Sequence, residues 1–351
     1  MLQQADKKMA PAGLVKGRFM AQIVAAPAAG RRFACGAAAG STSRAVRLCA
    51  LCLLCLLMGP LLGACAWLSA KQSQLALRPT PGRPAGLAAD SVLFRPGDVR
   101  WLVQVAPAGS ADPARPDQLA LWWLPHANPD APTLLYLHGT FRNLYQNLSK
   151  IDALREAGYS IVAVDYRGWG DSTVIVPDEE TITADARAAW AEMQRRQPDA
   201  ARRVIFGHSL GGAVAVRLAS TLHAVRAGGN DYAALVLEST FTRLPDVAAA
   251  AGFWGRVAAA ATGLEFDSLS RIGRIDAPLL MLHGTADRTV PVELGRRLRD
   301  AAPAGVRWLE ISGGSHSRLH EDAPAVYQGA LTHVLDTTKS RPATPSRANS
   351  Q

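Results

Sequence analysis

The sequence predicts an α/β fold in which a mainly parallel sheet is flanked by helices. From about residue 90 onwards, strand-like and helix-like stretches alternate, which is typical of a parallel sheet with crossover helices. The run Thr133–Leu137 is continuously apolar, as expected of a strand buried on both faces. With 351 residues, of which 48% are hydrophobic and 19% charged, the chain is long enough for one large domain or two small ones.

The individual elements follow from local patterns. Residues 99–105 and 118–124 are short β-rich runs that can form an opening antiparallel pair. Later strands are predicted at 133–137, 160–165, 203–207, 233–237, 279–283 and 306–311. Helices are predicted at 148–157, 184–197, 211–226, 292–301 and 323–334, with an alanine-rich cap insertion at 241–274. Ligands of such sheets bind at the carboxyl ends of the strands, so a site is expected in the loops that follow strands.

The basic character of the chain lies at its ends. The formal net charge is +9, but residues 1–64 alone contain eight basic residues and one acidic residue. Residues 65–351 contain 30 basic and 28 acidic residues, and three of the basic ones fall in a polar tail at 337–351. The body of the protein is therefore nearly neutral, which removes the electrostatic argument for binding nucleic acid.

The N-terminal region is typical of an export signal. No charged residue occurs between Arg47 and Lys71, and the apolar run at 48–58 leads to Leu-Gly-Ala before Cys65. This ending resembles the lipobox of bacterial lipoproteins, which implies that Cys65 is acylated and becomes the first residue of the mature chain. All five cysteines lie within the first 65 residues, as suits an exported protein. The alternative is a signal anchor, since 23 uncharged residues can cross a bilayer.

These observations divide the chain into four parts. Residues 1–64 are predicted to be a leader, 65–90 a tether rich in proline and glycine, 91–336 the α/β domain, and 337–351 a disordered tail. The predicted location is the cell envelope, where a lipid holds the protein to a membrane. In a two-membrane bacterium this is expected to be the outer membrane or a surface that faces the periplasm.

The loop after the 203–207 strand contains a Gly-x-Ser-x-Gly motif centred on Ser209. Such a serine lies on a strained turn from strand to helix, and Gly207 and Gly211 remove side chains that would clash there. The turn places the Ser209 hydroxyl at the N-terminus of a helix, whose free N–H groups favour developing negative charge. The alternative is a helix-capping serine beside packing glycines. We interpret Ser209 as a nucleophile.

A serine nucleophile needs an imidazole to accept its proton, and the imidazole needs a carboxylate to hold its tautomer. Asp287 lies in the loop after the 279–283 strand, and His316 lies in the loop after the 306–311 strand. Because parallel strands end at the same edge of the sheet, both side chains are expected near Ser209. We therefore predict a catalytic triad of Ser209, Asp287 and His316.

Other carboxylates and histidines compete for these two roles. Glu238 and Asp246 follow the strand before Asp287, and Glu238 is expected to support the site or to form a buried hydrogen bond. His320 and His333 lie in or beside the last predicted helix, where a solvated surface histidine is expected.

The loop after the 133–137 strand can complete an oxyanion hole. A tetrahedral intermediate needs two N–H donors, and Leu210, directly after the nucleophile, supplies one of them. Thr140 is predicted to supply the other, because Gly139 lets the backbone approach the oxyanion. His138 is interpreted as a structural residue that orients this loop.

Together these motifs resemble the α/β-hydrolase superfamily, in which the triad follows the chain order Ser, Asp, His. Within it the chain looks most like the BEM46-like, ABHD12/13/17-type serine hydrolases, which overlap the serine aminopeptidase S33 profile. The likeness covers about residues 90–336 and rests on His-Gly at 138–139, the Asp165 loop, the Ser209 motif, the Asp287 loop with Val-Pro, and Gly-Ser-His at 314–316. These relatives usually carry an Asn-Ala-Gly-like stretch after His-Gly, whereas here Thr140-Phe141-Arg142-Asn143 follows.

The resemblance implies a serine hydrolase that cleaves carboxylic esters or thioesters with lipid-like acyl groups through an acyl-enzyme on Ser209. The alternatives are an S33-like peptidase, an acyltransferase, or a non-catalytic envelope lipoprotein that uses the fold to bind a ligand. No residues show metal-ligand spacing, and no dinucleotide or P-loop motif occurs, so no cofactor is predicted. The aromatic residues of the short cap either cover the pocket or pack on the sheet: Phe241, Phe253, Trp254 and Phe266.

Overall fold

The computed structural model describes residues 70–85, 94–108, 116–250, 252 and 263–334. All of these belong to one of the two units into which the chain divides, Pro60–Gln351. The predicted leader, Cys65 and the polar tail lie outside the described residues, as do Phe253 and Trp254 of the predicted cap.

Within the described ranges, eight strands form one sheet. They are β1 (Val99–Val105), β2 (Asp117–Leu124), β3 (Thr133–Leu137), β4 (Ser160–Asp165), β5 (Arg203–His208), β6 (Ala234–Glu238), β7 (Leu279–Gly284) and β8 (Arg307–Ile311). Their order across the sheet is β1-β2-β4-β3-β5-β6-β7-β8. β1 pairs antiparallel with β2, β2 pairs antiparallel with β4, and the other pairings are parallel. The predicted fold class and the opening antiparallel pair are confirmed.

The helices of this part of the chain connect the strands and flank the sheet. They are α1 (70–77), α2 (Leu148–Glu156), α3 (Glu179–Arg196), α4 (Leu210–Ala219), α5 (Leu244–Ala250), α6 (Leu269–Ile272), α7 (Val292–Asp300), α8 (Leu319–Asp322) and α9 (Pro324–Thr332). None of these described helices combines the length and apolar character needed to cross a membrane.

The two faces of the sheet pack against different helices. Along β3, Leu135 and Leu137 join an apolar cluster that includes residues of α3, α4 and α7. Leu134 and Tyr136 point to the opposite face and join a cluster that includes residues of α2 and α9. All residues of β3 are buried. Burial on both faces explains why this strand is a continuous apolar run in the sequence.

Two predicted helices have different boundaries in the structure. The helix predicted from 184 begins at Glu179, because the carboxylate of Asp178 accepts the N–H of Thr181 at 2.7 Å and caps the first turn. The helix predicted to end at 226 ends at Ala219. There the hydroxyl of Ser220 donates to a main-chain carbonyl of the last turn at 2.9 Å, which gives that carbonyl a partner outside the helical ladder.

The helix predicted at 323–334 is α9 (Pro324–Thr332), and a break separates it from the short helix α8 that precedes it. The break falls at Ala323, whose backbone is extended at φ −148° and ψ 64°. Pro324 then starts α9 at its first helical position. A residue that precedes proline is sterically disfavoured in the helical conformation, so the helix cannot run through Ala323.

Residues 70–85, which we call the N-terminal arm, pack on the domain instead of forming the predicted tether. Leu77 at the end of α1 is fully buried in the apolar cluster with α3 and α4. The following segment pairs with Gly170, whose N–H donates to the carbonyl of Thr80 at 3.0 Å and whose carbonyl accepts the N–H of Gly82 at 2.7 Å. The side chain of Asn143 also donates to the carbonyls of Thr80 and Gly82, at 3.0 and 2.7 Å. This segment is rich in proline and glycine, yet it is held on the domain by hydrogen bonds.

Candidate active site

Ser209 lies on a sharp turn between β5 and α4. Its backbone has φ +55° and ψ −120°, a conformation that is rare for a residue with a side chain. A Cβ atom at Gly207 would overlap the backbone of Gly211, and a Cβ atom at Gly211 would overlap the carbonyl of Leu137. The two glycines of the motif are therefore required by the close approach of β5, α4 and the end of β3.

The structure brings Ser209, His316 and Asp287 together. The Oγ of Ser209 lies 3.0 Å from Nε2 of His316, and Nδ1 of His316 lies 2.7 Å from Oδ2 of Asp287. The other oxygen of Asp287 accepts the main-chain N–H groups of Thr289 and Val290, each at 2.8 Å. An imidazole held in this way can take the Ser209 proton at Nε2 while its Nδ1–H donates to the carboxylate.

Hydrogen bonds keep Asp287 ionised in spite of its burial. Burial alone would raise the pKa of the Asp287 carboxyl, but its hydrogen bonds with His283 and His316 outweigh burial and hold the pKa well below its usual range. Nε2 of His283 lies 3.4 Å from Oδ2 of Asp287 and 2.9 Å from the carbonyl of Val290. The Asp287 carboxylate is thus fixed in position and in charge, as an orienting partner of an imidazole must be.

Two further contacts hold the loop of His316. The carboxylate of Asp322 accepts the main-chain N–H of Ser315 at 2.7 Å and its hydroxyl at 2.6 Å. The Nε2 of His208, the residue before the nucleophile, lies 3.0 Å from the carbonyl of His316. These contacts tie the imidazole loop both to α8 and to the turn that carries Ser209.

The competing carboxylates lie in other networks. Glu238 is fully buried and is paired with Lys150 of α2 and with the hydroxyl of Tyr327, which donates to it at 2.8 Å. The carboxylate of Asp246 accepts the hydroxyl of Thr242 at 2.5 Å, and none of the contacts of either acid involves His316.

The competing histidines differ from each other. His333 is exposed, as expected. His320 is buried, at 8% exposed, so the expectation of a surface residue is wrong for it. Burial, together with the charge of Lys150, lowers the pKa of His320 to about 4. Its Nε2 faces the hydroxyl of Ser149 at 3.4 Å, and not Ser209.

The loop after β3 approaches the nucleophile closely. A Cβ atom at Gly139 would lie only 2.9 Å from the Cβ of Ser209, so the backbone runs directly beside it. Thr140 lines the same cavity as Ser209 and His316, a space of about 250 Å³. Leu210 is the first residue of α4, where N–H groups have no acceptor within the helix. Both predicted oxyanion donors thus belong to segments that border the nucleophile.

A buried polar pair lies beneath this loop. Nδ1 of His138 lies 2.6 Å from the carbonyl of Gly139, and its Nε2 lies 3.5 Å from Asp165. Asp165 accepts the main-chain N–H of Leu144 at 2.9 Å, so the pair contacts both ends of the loop. Burial lowers the pKa of His138 to about 4 and raises the pKa of Asp165 to about 8, which makes both side chains neutral near pH 7. This arrangement agrees with a structural role for His138.

Sequence reasoning missed three features near the site. They are the buried Lys150 that pairs with Glu238, the Arg142 side chain that lines the cavity, and the N-terminal arm. The only available signal for Lys150 was the carboxylate of Glu238 at the end of the buried β6, because a buried carboxylate needs a partner. Nothing in the local pattern of α2 distinguishes Lys150 from a solvated lysine.

A sheet of this order, with a Gly-x-Ser-x-Gly serine on the turn after β5, defines an α/β-hydrolase. The profile of the family "Serine aminopeptidase, S33" matches residues 129–271. The uncharacterised protein Rv2307c of Mycobacterium tuberculosis is 34% identical over 203 residues, which cover 57% of this chain and 68% of that protein. The chain belongs to this family of hydrolases, and the predicted family resemblance is confirmed.

Further relatives come from animals. Human ABHD12B is 31% identical over 195 residues, and the lysophosphatidylserine lipase ABHD12 of Danio rerio is 33% identical over 200 residues. The match spans about half of each: 52% of the human protein and 50% of the fish protein, and in both cases 52% of this chain. Among solved structures, the esterase Pf2001 of Pyrococcus furiosus superposes with a TM-score of 0.57 at 20% identity, over 74% of this chain and 97% of that one. This last similarity concerns the fold.

Proposed function

We propose that the protein is a serine hydrolase that cleaves carboxylic esters through an acyl-enzyme on Ser209. The observation that carries the proposal is the chain of short contacts from the Ser209 hydroxyl through His316 to Asp287, beside an accessible cavity. In the first step Nε2 of His316 takes the hydroxyl proton while Oγ attacks the ester carbonyl. The protonated imidazole then gives that proton to the departing alcohol, and water releases the acyl group by the same route.

The negative charge of the tetrahedral intermediate needs donors that are in place before the reaction. We assign this role to the main-chain N–H groups of Leu210 and Thr140. Leu210 stands at the N-terminus of α4, where the helix dipole favours an anion. The loop of Thr140 borders the cavity that contains Ser209.

An ester fits the cavity better than the N-terminus of a peptide. An aminopeptidase has to bind the positively charged amino group of its substrate, which a carboxylate does best. Among the described residues, no aspartate or glutamate lines the cavity beside Ser209. Relatives named as lysophosphatidylserine lipases also support an ester with a lipid-like acyl group. Thioesters, and transfer of the acyl group to an alcohol in place of water, use the same acyl-enzyme.

Labelling with a fluorophosphonate probe tests the proposal, together with turnover of a p-nitrophenyl ester. Ser209→Ala should abolish labelling and lower turnover by several orders of magnitude, and His316→Ala should be about as damaging. His320→Ala is the matched control, because this histidine is the nearest rival along the chain and contacts Ser149 instead of Ser209. It should keep the labelling rate of the wild type.

Wild-type labelling in Ser209→Ala would contradict the nucleophile. A stronger effect of His320→Ala than of His316→Ala, in variants with equal melting temperatures, would move the base to His320. A wild-type protein that is folded but neither labelled nor active would favour the non-catalytic binding protein.

We further propose that Cys65 carries a lipid and holds the hydrolase domain at the cell envelope. The support is the sequence before Cys65, which lies outside the described residues. Mass spectrometry of the mature N-terminus should find an acylated Cys65, and Cys65→Ser should leave an uncleaved precursor. A mature chain that starts elsewhere, or a Cys65 without lipid, would refute this and favour a signal anchor.

A further inference from the structure

The cavity beside Ser209 contains a positive charge without a partner. Arg142 is exposed and lines this cavity together with Thr140, Ser209 and His316. Within the part of the chain that the structure describes, its guanidinium makes neither a hydrogen bond nor an ion pair. Five N–H donors are thus available beside the nucleophile.

Several other arginines at the surface of the domain are paired with acids. They form ion pairs of 2.6–3.0 Å: Arg202 with Asp130, Arg296 with Glu310, and Arg299 with Asp300. Within the described residues Arg187 on α3 likewise has no ion pair, so Arg142 is distinguished by its position in the cavity beside Ser209. No described carboxylate lines the cavity, and the carboxylate of Asp287 is hydrogen-bonded to His316.

The charge of Arg142 affects the pKa values of two buried groups next to the cavity. Burial is the main cause that lowers the pKa of His208 and of Lys150, and the positive charge of Arg142 lowers both further. Besides this cation, the residues that line the cavity include three that bear hydroxyl groups, Thr140, Thr289 and Ser317. A concave surface of one charge sign concentrates ligands of the opposite sign.

We propose that Arg142 forms an anion-binding subsite of the active site, so that the substrates are esters that carry a carboxylate or a phosphate near the scissile bond. The planar guanidinium binds either group through two parallel hydrogen bonds, which fixes the ester relative to Ser209. This inference rests on the proposed esterase function and adds the chemical class of its substrate.

Two pairs of soluble esters test the subsite. The first pair, p-nitrophenyl hemisuccinate and p-nitrophenyl butyrate, differs by a carboxylate on the acyl side. The second pair, butyryl-glycerol phosphate and butyryl-glycerol, differs by a phosphate on the alcohol side. In each pair the measured quantity is the ratio of kcat/KM for the anionic ester to that for the neutral ester.

Arg142→Gln should lower this ratio at least about tenfold in one pair or both, because a hydrogen-bonded charge contact is lost. Arg187→Gln is the matched control: Arg187 is exposed on α3, outside the cavity, and its replacement changes the net charge equally. Its ratio should stay that of the wild type. In the wild type, raising the salt from about 0.05 M to about 0.5 M should shrink the preference for the anionic ester.

The pair of esters whose kcat/KM ratio falls in Arg142→Gln shows whether the subsite lies on the acyl or on the alcohol side. Equal ratios in the wild type and Arg142→Gln, for both pairs, would overturn the anion subsite. So would an equal fall in Arg187→Gln, because the effect would then come from net charge alone. Failure of the proposed function has a different signature, since no ester of either pair would be turned over in a manner that depends on Ser209.

Discussion

Replacing Asn143 should detach the N-terminal arm from the loop that carries Thr140. Asn143 is 1% exposed, and its Nδ2 donates to the carbonyls of Thr80 and Gly82. Asn143→Ala removes both hydrogen bonds. Thr80 keeps the N–H of Gly170 as a donor, and Gly82 is exposed, so water can replace the lost donors. Each lost hydrogen bond then weakens the attachment of the arm by its net contribution of about 1 kcal/mol, so the two together cost about 2 kcal/mol.

A loss of about 2 kcal/mol strongly favours local opening of the arm, but it is small beside the free energy of unfolding of a whole domain, which is typically about 5–15 kcal/mol. We therefore expect a folded variant in which opening of the arm is roughly 30-fold more frequent. Hydrogen exchange of the 78–85 amides measures this directly. Turnover of the ester should also fall, because Asn143 lies three residues after Thr140 in the same loop.

The matched control is Asn230→Ala, since Asn230 is an exposed asparagine outside both the arm and the site. Unchanged exchange at 78–85 in Asn143→Ala would refute the reasoning. So would a faster exchange spread evenly over the whole domain, because the loss would then be global.

Three further outcomes follow from buried groups around the site. Lys150→Met leaves the Glu238 carboxylate buried without its cation and should cost about 3–5 kcal/mol in urea unfolding, whereas adding Glu238→Gln should restore much of the loss; additive losses would contradict the ion pair. The pKa of Asp165 rises from 3.8 to about 8 on folding, so the native state holds a proton that the unfolded chain has released, and stability should fall as the pH rises towards 8. Below about pH 6.5 the lowered pKa of His138 makes stability rise with pH instead. The difference between the free energies of unfolding at pH 6.5 and at pH 8.5 therefore reports on Asp165, and Asp165→Asn should make this difference smaller. Gly139→Ala should abolish fluorophosphonate labelling without unfolding the domain, since its Cβ would meet that of Ser209; normal labelling would show that the loop can move away.

The local sequence pattern was sufficient to predict features that depend on a single strand or turn. The bounds of β3 and β4 agree with the sequence prediction, because strands buried on both faces are uninterrupted apolar runs. The sequence also predicts that Ser209, Asp287 and His316 lie close together, as they do in the structure, because each follows a strand and parallel strands end at one edge.

Contacts between distant segments could not be predicted in this way. The ion pair of Lys150 with Glu238 joins residues 88 positions apart, and each residue is ordinary in its own segment. At the end of α4 the hydroxyl of Ser220 donates to a main-chain carbonyl, but serine also occurs within helices, so this residue alone does not predict where the helix ends. The sequence predicts a tether at 65–90 because proline and glycine are common in tethers, whereas the hydrogen bonds of the N-terminal arm to Gly170 and Asn143 show that residues 70–85 are held on the domain.

If Cys65 carries a lipid, as proposed above, the docked N-terminal arm limits the distance between that lipid and Ser209. Arg78 lies over the ring of Phe141, 4.9 Å from its centre, directly beside Thr140. Only 13 positions separate Arg78 from Cys65, and eight of the residues between them form α1, which spans about 12 Å. The four residues before α1 add at most about 14 Å. A lipid on Cys65 would therefore keep the reactive serine within a few nanometres of the lipid surface, and the enzyme would search for esters by diffusing in two dimensions instead of three.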